Sequence, residues 1–224
     1  MPAVLSIVIP TLNAERQLPS SVACLMEGLD SGLVRELVVS DGGSQDATQS
    51  IAEELGATFV AGNSGRGGQL LRGAAAARAG WLLFLHADTH LAAGWAAVAQ
   101  EHIQTSTKAG YFRLRFRASG FRPTFFAAGA NLRSRLGLPY GDQGLLISRN
   151  LYDAVGGYLD IALMEDVAMA RALKGKLVLL AADASTDPQR YQNGWYRRGI
   201  RNMWTLARYY CGASPDRLAE YYKR

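Results

Sequence analysis

Short apolar runs alternate with helical apolar repeats along the first half of the chain. Four runs have the length and composition of strands, at residues 5–9, 37–40, 58–61 and 81–85. Between them, apolar residues recur at helical spacing in segments 18–29, 47–55 and 69–79. Strands that alternate with helices form parallel βαβ units. The pattern therefore predicts an α/β fold with a mostly parallel central sheet and helices on both faces.

The second half of the chain predicts a less regular series of elements. Residues 111–117 alternate apolar residues with arginine, which is typical of a half-exposed strand. A turn followed by a strand is expected within 139–149, and a last buried strand at 177–180. Helices are predicted at 92–103, 121–136 and 167–173, and in the second of these we expect Phe125 and Phe126 to face inward.

The run at 81–85 ends in polar residues that could bind a ligand. His86, Asp88 and His90 follow it directly. In open α/β sheets, ligands bind at the carboxyl ends of the strands. Asp88 is therefore the leading candidate for a metal or diphosphate site. The alternative is that Asp88 caps the next helix and His86 is a partly buried histidine with ordinary partners.

Length and composition indicate a globular protein. At 224 residues the chain makes one large domain, or a domain with an appendage. No stretch of 18 apolar residues is present, and the first residues lack the features of a signal peptide. Cys24 and Cys211 provide no disulfide framework, which favours a reducing compartment. We therefore expect a cytoplasmic protein.

Positive charge is concentrated in two segments. Residues 188–224 contain eight Lys/Arg and two Asp/Glu, a balance of +6 against +5 for the whole chain. Residues 108–135 contain seven Lys/Arg and no acid. Such segments suit an anionic substrate or an anionic membrane surface, although a solvated face explains part of them.

A basic amphipathic helix is predicted at 194–211. Its arginines, Arg197, Arg198, Arg201 and Arg208, lie on or beside one face. Two interpretations are open. The helix packs on the domain with its arginines outward, or it lies in a membrane interface on the inner face of the cell membrane. The opposite face is apolar, with Tyr196, Ile200, Met203, Trp204, Ala207 and Tyr210.

Four motifs now stand in order along the chain. They read SIVIPTLNAE, VVSDGGSQDAT, FLHADT and MEDVAMARALK. Together they resemble the family-two glycosyltransferases, nucleotide-sugar enzymes with the A-type fold, over about residues 5–180. The segment GRGGQ…GWLLFLHADT is most similar to a small bacterial branch of that family.

The resemblance implies a donor-binding role for residues of the first three motifs. Asp41 matches the acid that contacts the base, usually uracil, or its ribose. Arg66 and Arg72 lie in the segment that approaches the nucleotide and its diphosphate, and Ala87 lies between the metal-site residues. The loop beside the nucleotide is matched by Pro10, Thr11, Asn13 and Glu15.

The resemblance also implies a metal site and a general base. Asp88 matches the last acid of the D-x-D motif, which binds a divalent metal, Mg²⁺ or Mn²⁺, on the diphosphate. His86 replaces the first acid, and imidazole can serve a manganese-like ion. Asp166 matches the acid used as general base, with Glu165 beside it. Capping of the following helix is the alternative role for these two acids.

The predicted activity is transfer of one sugar from a nucleotide-diphosphate donor, a UDP-sugar, to an acceptor hydroxyl with inversion. Gln192 and Trp195 only echo the Q-x-x-R-W motif of processive members, which favours a single transfer. The acceptor is expected to be lipid-linked or lipophilic, and no nucleic-acid partner is expected. A non-catalytic module that binds sugar nucleotides, favoured by His86, and a sugar nucleotidyltransferase are the alternatives.

These expectations divide the chain into a catalytic domain and an appendage. The catalytic domain is predicted at 1–187, with a nucleotide-binding half at about 1–90 and an acceptor half at about 91–187. The basic amphipathic appendage is predicted at 188–224.

Overall fold

The computed structural model describes residues 3–191 and 194–223 and contains one eight-stranded sheet. The strand order is β3-β2-β1-β4-β7-β6-β8-β5. Gln192 lies outside the described residues. The strands are β1 Leu5–Thr11, β2 Val34–Asp41, β3 Thr58–Ala61, β4 Trp81–Phe84, β5 Thr89–Leu91, β6 Ala109–Phe116, β7 Leu145–Ser148 and β8 Leu177–Thr186.

Helices cover both faces of this sheet. Two 3₁₀ turns, Gly141–Gln143 and Pro188–Tyr191, accompany them. The α-helices are α1 Leu18–Ala23, α2 Met26–Asp30, α3 Thr48–Glu54, α4 Arg66–Ala76, α5 Trp95–Thr105, α6 Phe121–Arg135, α7 Arg149–Ala154, α8 Glu165–Ala172, α9 Trp195–Tyr210 and α10 Pro215–Lys223.

The sheet is mostly parallel, as predicted. Strands β3, β2, β1 and β4 pair in parallel, and so do β6 and β8. Strand β7 runs antiparallel between β4 and β6, and β5 is antiparallel to β8. The carboxyl ends of β1, β2 and β4 therefore meet at one edge, beside the start of β7.

Alternation along the central strands supplies a core on each face. In β1, Ile7 and Ile9 pack on the side of α1, α3 and α5, whereas Val8 packs on the side of α4, α7 and α8. In β4, Leu83 faces the first side and Phe84 the second. Successive strand side chains point to opposite faces, so an unbroken apolar run is buried on both.

The predicted helix 18–29 is broken in two by a tertiary contact. The Trp95 indole N–H donates to the Cys24 carbonyl at 3.0 Å, and the Gly28 N–H bonds to Leu25 instead. A Cβ on Gly28 would lie 2.6 Å from the Trp95 ring, so glycine permits this approach. Packing thus overrides helical periodicity here.

Helix α4 begins earlier than predicted, inside the glycine-rich segment. Gly65, at φ 151°, precedes the first helical residue, Arg66. Gly67 and Gly68 are helical and buried, and a Cβ on Gly67 would collide with the Leu159 carbonyl. These two glycines therefore serve close packing rather than a free phosphate-binding loop.

The C-terminal helices pack on the sheet domain through a third apolar cluster. Leu218 of α10 is buried against Met164 and Val167 at the start of α8, with Leu206 and Tyr209 of α9 alongside. Within the described residues, no helix combines the length and hydropathy needed to cross a bilayer.

The outward face of α9 is apolar, which contradicts one of the two interpretations left open, that the helix packs on the domain with its arginines outward. Tyr196, Ile200, Met203, Trp204 and Tyr210 are each about half exposed or more. Phe125 of α6 is also 55% exposed, so its predicted inward orientation is wrong, whereas Phe126 is partly buried against α9.

Candidate functional site

Two clefts meet at the edge where β1 and β4 end. The larger has a volume of about 550 Å³ and is lined by residues of the β1 loop, the start of α4 and the His86–Asp88 turn. The smaller has a volume of about 150 Å³ and lies between the same turn and helices α8 and α9. Four residues line both clefts: Arg66, His86, Asp88 and Asp187.

Asp41 ends β2 next to the β1 loop that lines the large cleft. It is opposite Thr11 in the β1–β2 pairing, and the Thr11 hydroxyl donates to it at 2.8 Å. Burial alone would raise the pKa of Asp41, but hydrogen bonds from Ser44, Thr11 and the Gly43 N–H outweigh it and lower that pKa. Asp41 is therefore a buried carboxylate that braces the cleft loop.

The β1 loop is held against the loop after β2 by reciprocal hydrogen bonds. Asn13, with φ at +52°, donates its N–H to the Ser44 hydroxyl at 2.8 Å and accepts from the Gln45 N–H at 2.9 Å. Glu15 donates its N–H to Asp46 and accepts from the Ala47 N–H. These contacts fix one wall of the large cleft.

Arg66 connects the two clefts at the first turn of α4. Its guanidinium forms an ion pair with Glu165, whose side chain is 1% exposed. Burial disfavours the charge on Arg66, but Glu165, Asp166 and Asp142 outweigh it and raise the pKa of Arg66. The Arg66 Nη1 also lies 3.4 Å from His86 Nε2. Arg66 is therefore a fixed cation where the clefts join.

Glu165 and Asp166 have different surroundings although they are adjacent in the sequence. Burial, the largest cause, and Asp166 raise the pKa of Glu165, whereas Arg66 lowers it. Asp166 lines the small cleft and is held by two backbone donors, the Gly141 N–H at 3.1 Å and the Val167 N–H at 2.8 Å. Asp166 thus presents a carboxylate to the small cleft while Glu165 holds Arg66.

Residues around Asp88 allow a test of whether a divalent metal fits. Asp88 Oδ1 is buried and has no hydrogen-bond partner among the described residues. In those same residues, no group of three or more His, Cys, Asp or Glu side chains has the arrangement of a metal site. The unpartnered Asp88 oxygen thus fits a metal that takes its other ligands from a diphosphate and water, since Mg²⁺ is commonly held by one or two carboxylates plus phosphate.

A carboxylate that the sequence motifs do not include also lines the small cleft. Asp142 sits in the 3₁₀ turn after Tyr140, and its Oδ1 is buried without a hydrogen-bond partner in the described part of the chain. Gln143 anchors this turn: it is fully buried and donates to the Phe112 carbonyl at 3.0 Å. The Ser134 hydroxyl donates to the same Gln143 side chain.

Burial is the largest influence on the pKa values of Asp142 and of its neighbour Tyr140. It raises the pKa of Tyr140 to about 12, although Arg133 stacked over the ring acts in the opposite direction. The phenol therefore stays neutral and able to donate at neutral pH. Burial likewise raises the pKa of Asp142; Arg133 lowers it, and Asp166 raises it further.

The linings of the two clefts contain eight of the predicted residues. Four others lie outside both linings: Asp41 and Glu15 brace the β1 loop, Arg72 donates to the Asp41 and Asn63 carbonyls, and Glu165 lies behind Arg66. The eight are Pro10, Thr11, Asn13, Arg66, His86, Ala87, Asp88 and Asp166.

Sequence reasoning missed Asp142 and Asp187. Asp187, which lines both clefts, directly follows β8, which extends to Thr186 rather than ending at 180 as predicted. Asp142 directly precedes β7, which pairs antiparallel with β4. An antiparallel strand begins where its parallel neighbour ends, but the apolar run of β7 does not reveal the direction of the strand, so the sequence pattern contained no signal for Asp142.

Comparison with protein families identifies the class of this protein. The sequence model of glycosyl transferase family 2 matches residues 6–156, which is more than half of the chain. The chain therefore belongs to glycosyl transferase family 2 and is an enzyme of that family. No curated protein matches the sequence.

Solved structures share the fold at low identity. TarS from S. aureus superposes with a TM-score of 0.60 at 17% identity, over 84% of this chain and 37% of the TarS chain. Glucosyl-3-phosphoglycerate synthase from Mycobacterium tuberculosis, in complex with Mn²⁺, UDP and phosphoglyceric acid, gives 0.57 at 20% identity, over 90% and 77%. The chain thus spans just over a third of the TarS chain and about three quarters of the synthase.

A second complex of each protein contains a sugar nucleotide. The fragment 1–349 of S. aureus TarS with UDP-GlcNAc has a TM-score of 0.60 at 17% identity, over 83% of this chain and 59% of that one. The synthase with Mn²⁺ and UDP-glucose has 0.57 at 21% identity, over 90% and 78%. At these identities the likeness shows the A-type glycosyltransferase fold.

Proposed function

We propose that the protein transfers a single sugar from a UDP-sugar to an acceptor hydroxyl, with inversion and with a divalent metal, Mg²⁺ or Mn²⁺. The observation that carries this proposal is the junction of the two clefts. One cleft is large enough for a nucleotide sugar, the other contains the Asp166 carboxylate, and Arg66, His86 and Asp88 line both.

The large cleft is suited to the donor diphosphate. Helix α4 begins at its edge with Arg66, and backbone N–H groups at a helix N-terminus favour anions. Asp88 with His86 would hold the metal, which would neutralise charge on the departing diphosphate. Pro10, Thr11 and Asn13 line the opposite wall, where the nucleoside would lie. UDP and Mn²⁺ in the synthase complex support this choice of donor and metal.

Asp166 is the proposed general base in the small cleft. Its two backbone hydrogen bonds fix the carboxylate, which leaves it able to accept the proton of an attacking hydroxyl. Attack from the small cleft on a sugar bound in the large cleft comes from the side opposite the leaving diphosphate. One such displacement inverts the anomeric centre. Glu165, ion-paired with Arg66, would act as a positioning residue.

A lipid-linked or lipophilic acceptor is the finer proposal for the small cleft. Helix α9 supplies Arg198, Asn202 and Thr205 to its wall, and the outer face of the same helix is apolar. An acceptor that reached the cleft along this helix would present its hydroxyl to Asp166. The protein would then work in the cytoplasm, at the inner face of the cell membrane.

A thermal-shift screen of UDP-sugars with and without Mn²⁺ or Mg²⁺ tests the donor proposal. A ligand that binds only the folded state stabilises it by about 2.7 kcal/mol at a concentration one hundred times its Kd. We expect stabilisation by UDP and by one UDP-sugar that increases with metal. Metal alone should have little effect because the protein supplies few ligands.

Asp88→Ala provides the matched variant for this screen. The variant should fold normally and lose the metal-dependent part of the shift while keeping the metal-independent part. A folded variant with an unchanged metal-dependent shift would assign the metal to other residues. Absence of a shift with every UDP-sugar would overturn the donor proposal.

A further inference from the structure

Helix α9 carries an apolar stripe that faces away from the protein. Ile200 is 69% exposed, Met203 73% and Trp204 57%. The opposite face contacts the domain through Thr205, which is buried, and through Leu206 and Tyr209. A helix packed on a soluble domain normally turns its apolar face inward. The orientation of α9 is reversed, so its apolar stripe is available to a partner.

Helix α6 has the same reversed orientation. Phe121, Phe125, Leu132 and Leu136, at the end of the helix, are between 55% and 78% exposed. Small or polar residues such as Ala127 and Ser134 form its buried side instead. Two helices with outward apolar stripes are unusual in a protein that faces water on all sides.

Aromatic contacts make the two stripes continuous. Phe125 contacts Phe126 with ring centroids 5.7 Å apart, and Phe126 contacts Tyr196 of α9 at 5.5 Å. Gly199 allows this approach, since a Cβ there would lie 2.6 Å from the Phe126 ring. We call the result the two-helix apolar surface, made of Phe121, Phe125, Leu132, Leu136, Tyr196, Ile200, Met203 and Trp204.

Charge around this surface is of one sign. Helices α6 and α9 together contain seven arginines and no acidic residue. Arg122, Arg135 and Arg197 are exposed beside the apolar residues. A second copy of this chain docked face to face would bring like charges together. An anionic lipid surface would instead meet both features, with apolar side chains below the headgroups and arginines among them.

We propose that the two-helix apolar surface docks the enzyme on an anionic lipid bilayer. Trp204 and Tyr196 suit the headgroup boundary because each has an apolar ring with a polar edge. The opposite side of α9 forms one wall of the small cleft, so docking would hold that cleft about one helix diameter, ~10 Å, from the lipid. This docking proposal rests on the proposed function only in treating the small cleft as the acceptor site.

Vesicle co-sedimentation of the full chain tests the proposal. Vesicles of phosphatidylcholine alone and of phosphatidylcholine with phosphatidylglycerol are compared at low and high salt. We expect partitioning onto the anionic vesicles that falls steeply with salt, and little onto the neutral ones. The quadruple variant Arg122, Arg135, Arg197, Arg208→Gln should partition more weakly by about a hundredfold or more, since each surface charge contributes on the order of a fivefold effect.

Matched control variants distinguish docking through this surface from a nonspecific effect of net charge and from loss of the folded state. Replacing Arg16, Arg35, Lys174 and Lys176 by Gln removes four exposed charges elsewhere and should leave partitioning within about twofold. Phe125→Ser with Met203→Ser should weaken it at least tenfold through lost apolar insertion. Leu29→Ser, at a 52% exposed residue of α2, is the control for this double variant.

No partitioning onto anionic vesicles at low salt would overturn the proposal, and so would equal losses in the two charge variants. A dimer that dissociates when Met203 is changed would also overturn it, in favour of a second copy of the chain. Stabilisation by UDP is measured on the same samples. Docking without a UDP shift rejects the donor proposal alone, and a UDP shift without docking rejects the docking surface alone.

Discussion

Asp166, the proposed general base, is held in position by its neighbours. Its oxygens accept from the Gly141 and Val167 N–H groups, so its position depends on two backbones that meet at the small cleft. Asp166→Asn keeps the shape of the side chain and removes its basicity. We expect donor binding to persist and turnover to fall by roughly a hundredfold or more, the usual scale for loss of a general base.

Release of UDP from the donor selected by the thermal-shift screen, with a lipid extract as acceptor source, measures this loss. Glu165→Gln is the comparison, because it removes the charge that holds Arg66. It should weaken donor binding as well as turnover. Near-normal turnover in Asp166→Asn would assign the base to another carboxylate, with Asp142 next in position.

Asp142 has a pKa that predicts a pH-dependent cost to stability. Burial raises this pKa above its ordinary value of 3.8, and the folded state therefore holds the proton more tightly than the unfolded state. The cost is absent below the unfolded pKa, grows as pH rises through the folded pKa, and is complete above it. Asp142→Asn should thus stabilise the ligand-free protein at pH 7, by about 1 kcal/mol, the scale of an unsatisfied buried group.

Urea unfolding at a series of pH values checks this expectation. The gain of Asp142→Asn over the natural protein should shrink towards zero near pH 4. Glu101→Gln, on the exposed side of α5, is the control and should show no such trend. A variant that is less stable at pH 7 would mean that the Asp142 carboxylate is compensated by neighbours more fully than Arg133 and Arg66 suggest.

Helix α4 is the element that joins the core to the clefts, and Arg149 holds its far end. Arg149 follows β7 and donates to the carbonyls of Ala74 at 3.1 Å and Ala77 at 2.8 Å. These are carbonyls that a helix end leaves without partners. The guanidinium thus satisfies the end of α4 opposite Arg66, so the position of Arg66 depends partly on it.

Arg149→Met should reduce the free energy of unfolding by about 2 kcal/mol, because charge-assisted hydrogen bonds are lost and buried carbonyls are left unpaired. Arg149→Lys should restore less than half of this, since lysine lacks the planar set of donors. Denaturant unfolding of both variants measures the two values. A loss below about 0.5 kcal/mol in the Met variant would show that water replaces the guanidinium.

Helices and strands were predicted correctly where the apolar pattern of the segment alone determines its structure. Strands β1 to β4 coincide with the four predicted apolar runs, although β1 and β2 extend beyond them, and α3, α4 and α8 were predicted to within a few residues. The prediction failed where a tertiary contact decided the outcome. Trp95 breaks the first helix at Cys24, and β5, three residues long, depends on pairing with β8. The inward orientation predicted for Phe125 of α6 is wrong because periodicity does not tell which side of a helix faces the protein.

Strand ends in the sequence pattern predicted only part of the candidate site, whereas Arg66 and Asp166 came from the resemblance to a family. Asp88 lies just after β4 and lines both clefts, and Asp41 ends β2 outside both linings. Asp142 lies before β7 instead. Its relevance depends on the antiparallel pairing of β7 with β4, in which Leu145 faces Phe84. Short apolar runs do not reveal strand direction, so this carboxylate could not be placed from periodicity.

At the scale of the whole molecule, the C-terminal helices and the catalytic half share one apolar cluster. Leu218 of α10 is 1% exposed and packs with Met164 and Val167, which flank Glu165 and Asp166 in the sequence. A catalytic domain at 1–187 with an appendage at 188–224 remains our proposal for the organisation of the chain. The cluster predicts that the appendage and the site are coupled in stability.

Leu218→Ala tests this coupling. Truncation of a buried leucine costs about 2–5 kcal/mol, depending on how far the surroundings relax. If the two parts unfold together, a single transition should shift to lower urea by that amount, whether it is followed by circular dichroism or by tryptophan fluorescence. Leu29→Ala, at an exposed site, should change it by less than about 0.5 kcal/mol. Two separate transitions, with only the weaker one shifted, would instead mean that the appendage unfolds on its own. The start of α8 would then owe its position to the sheet domain alone.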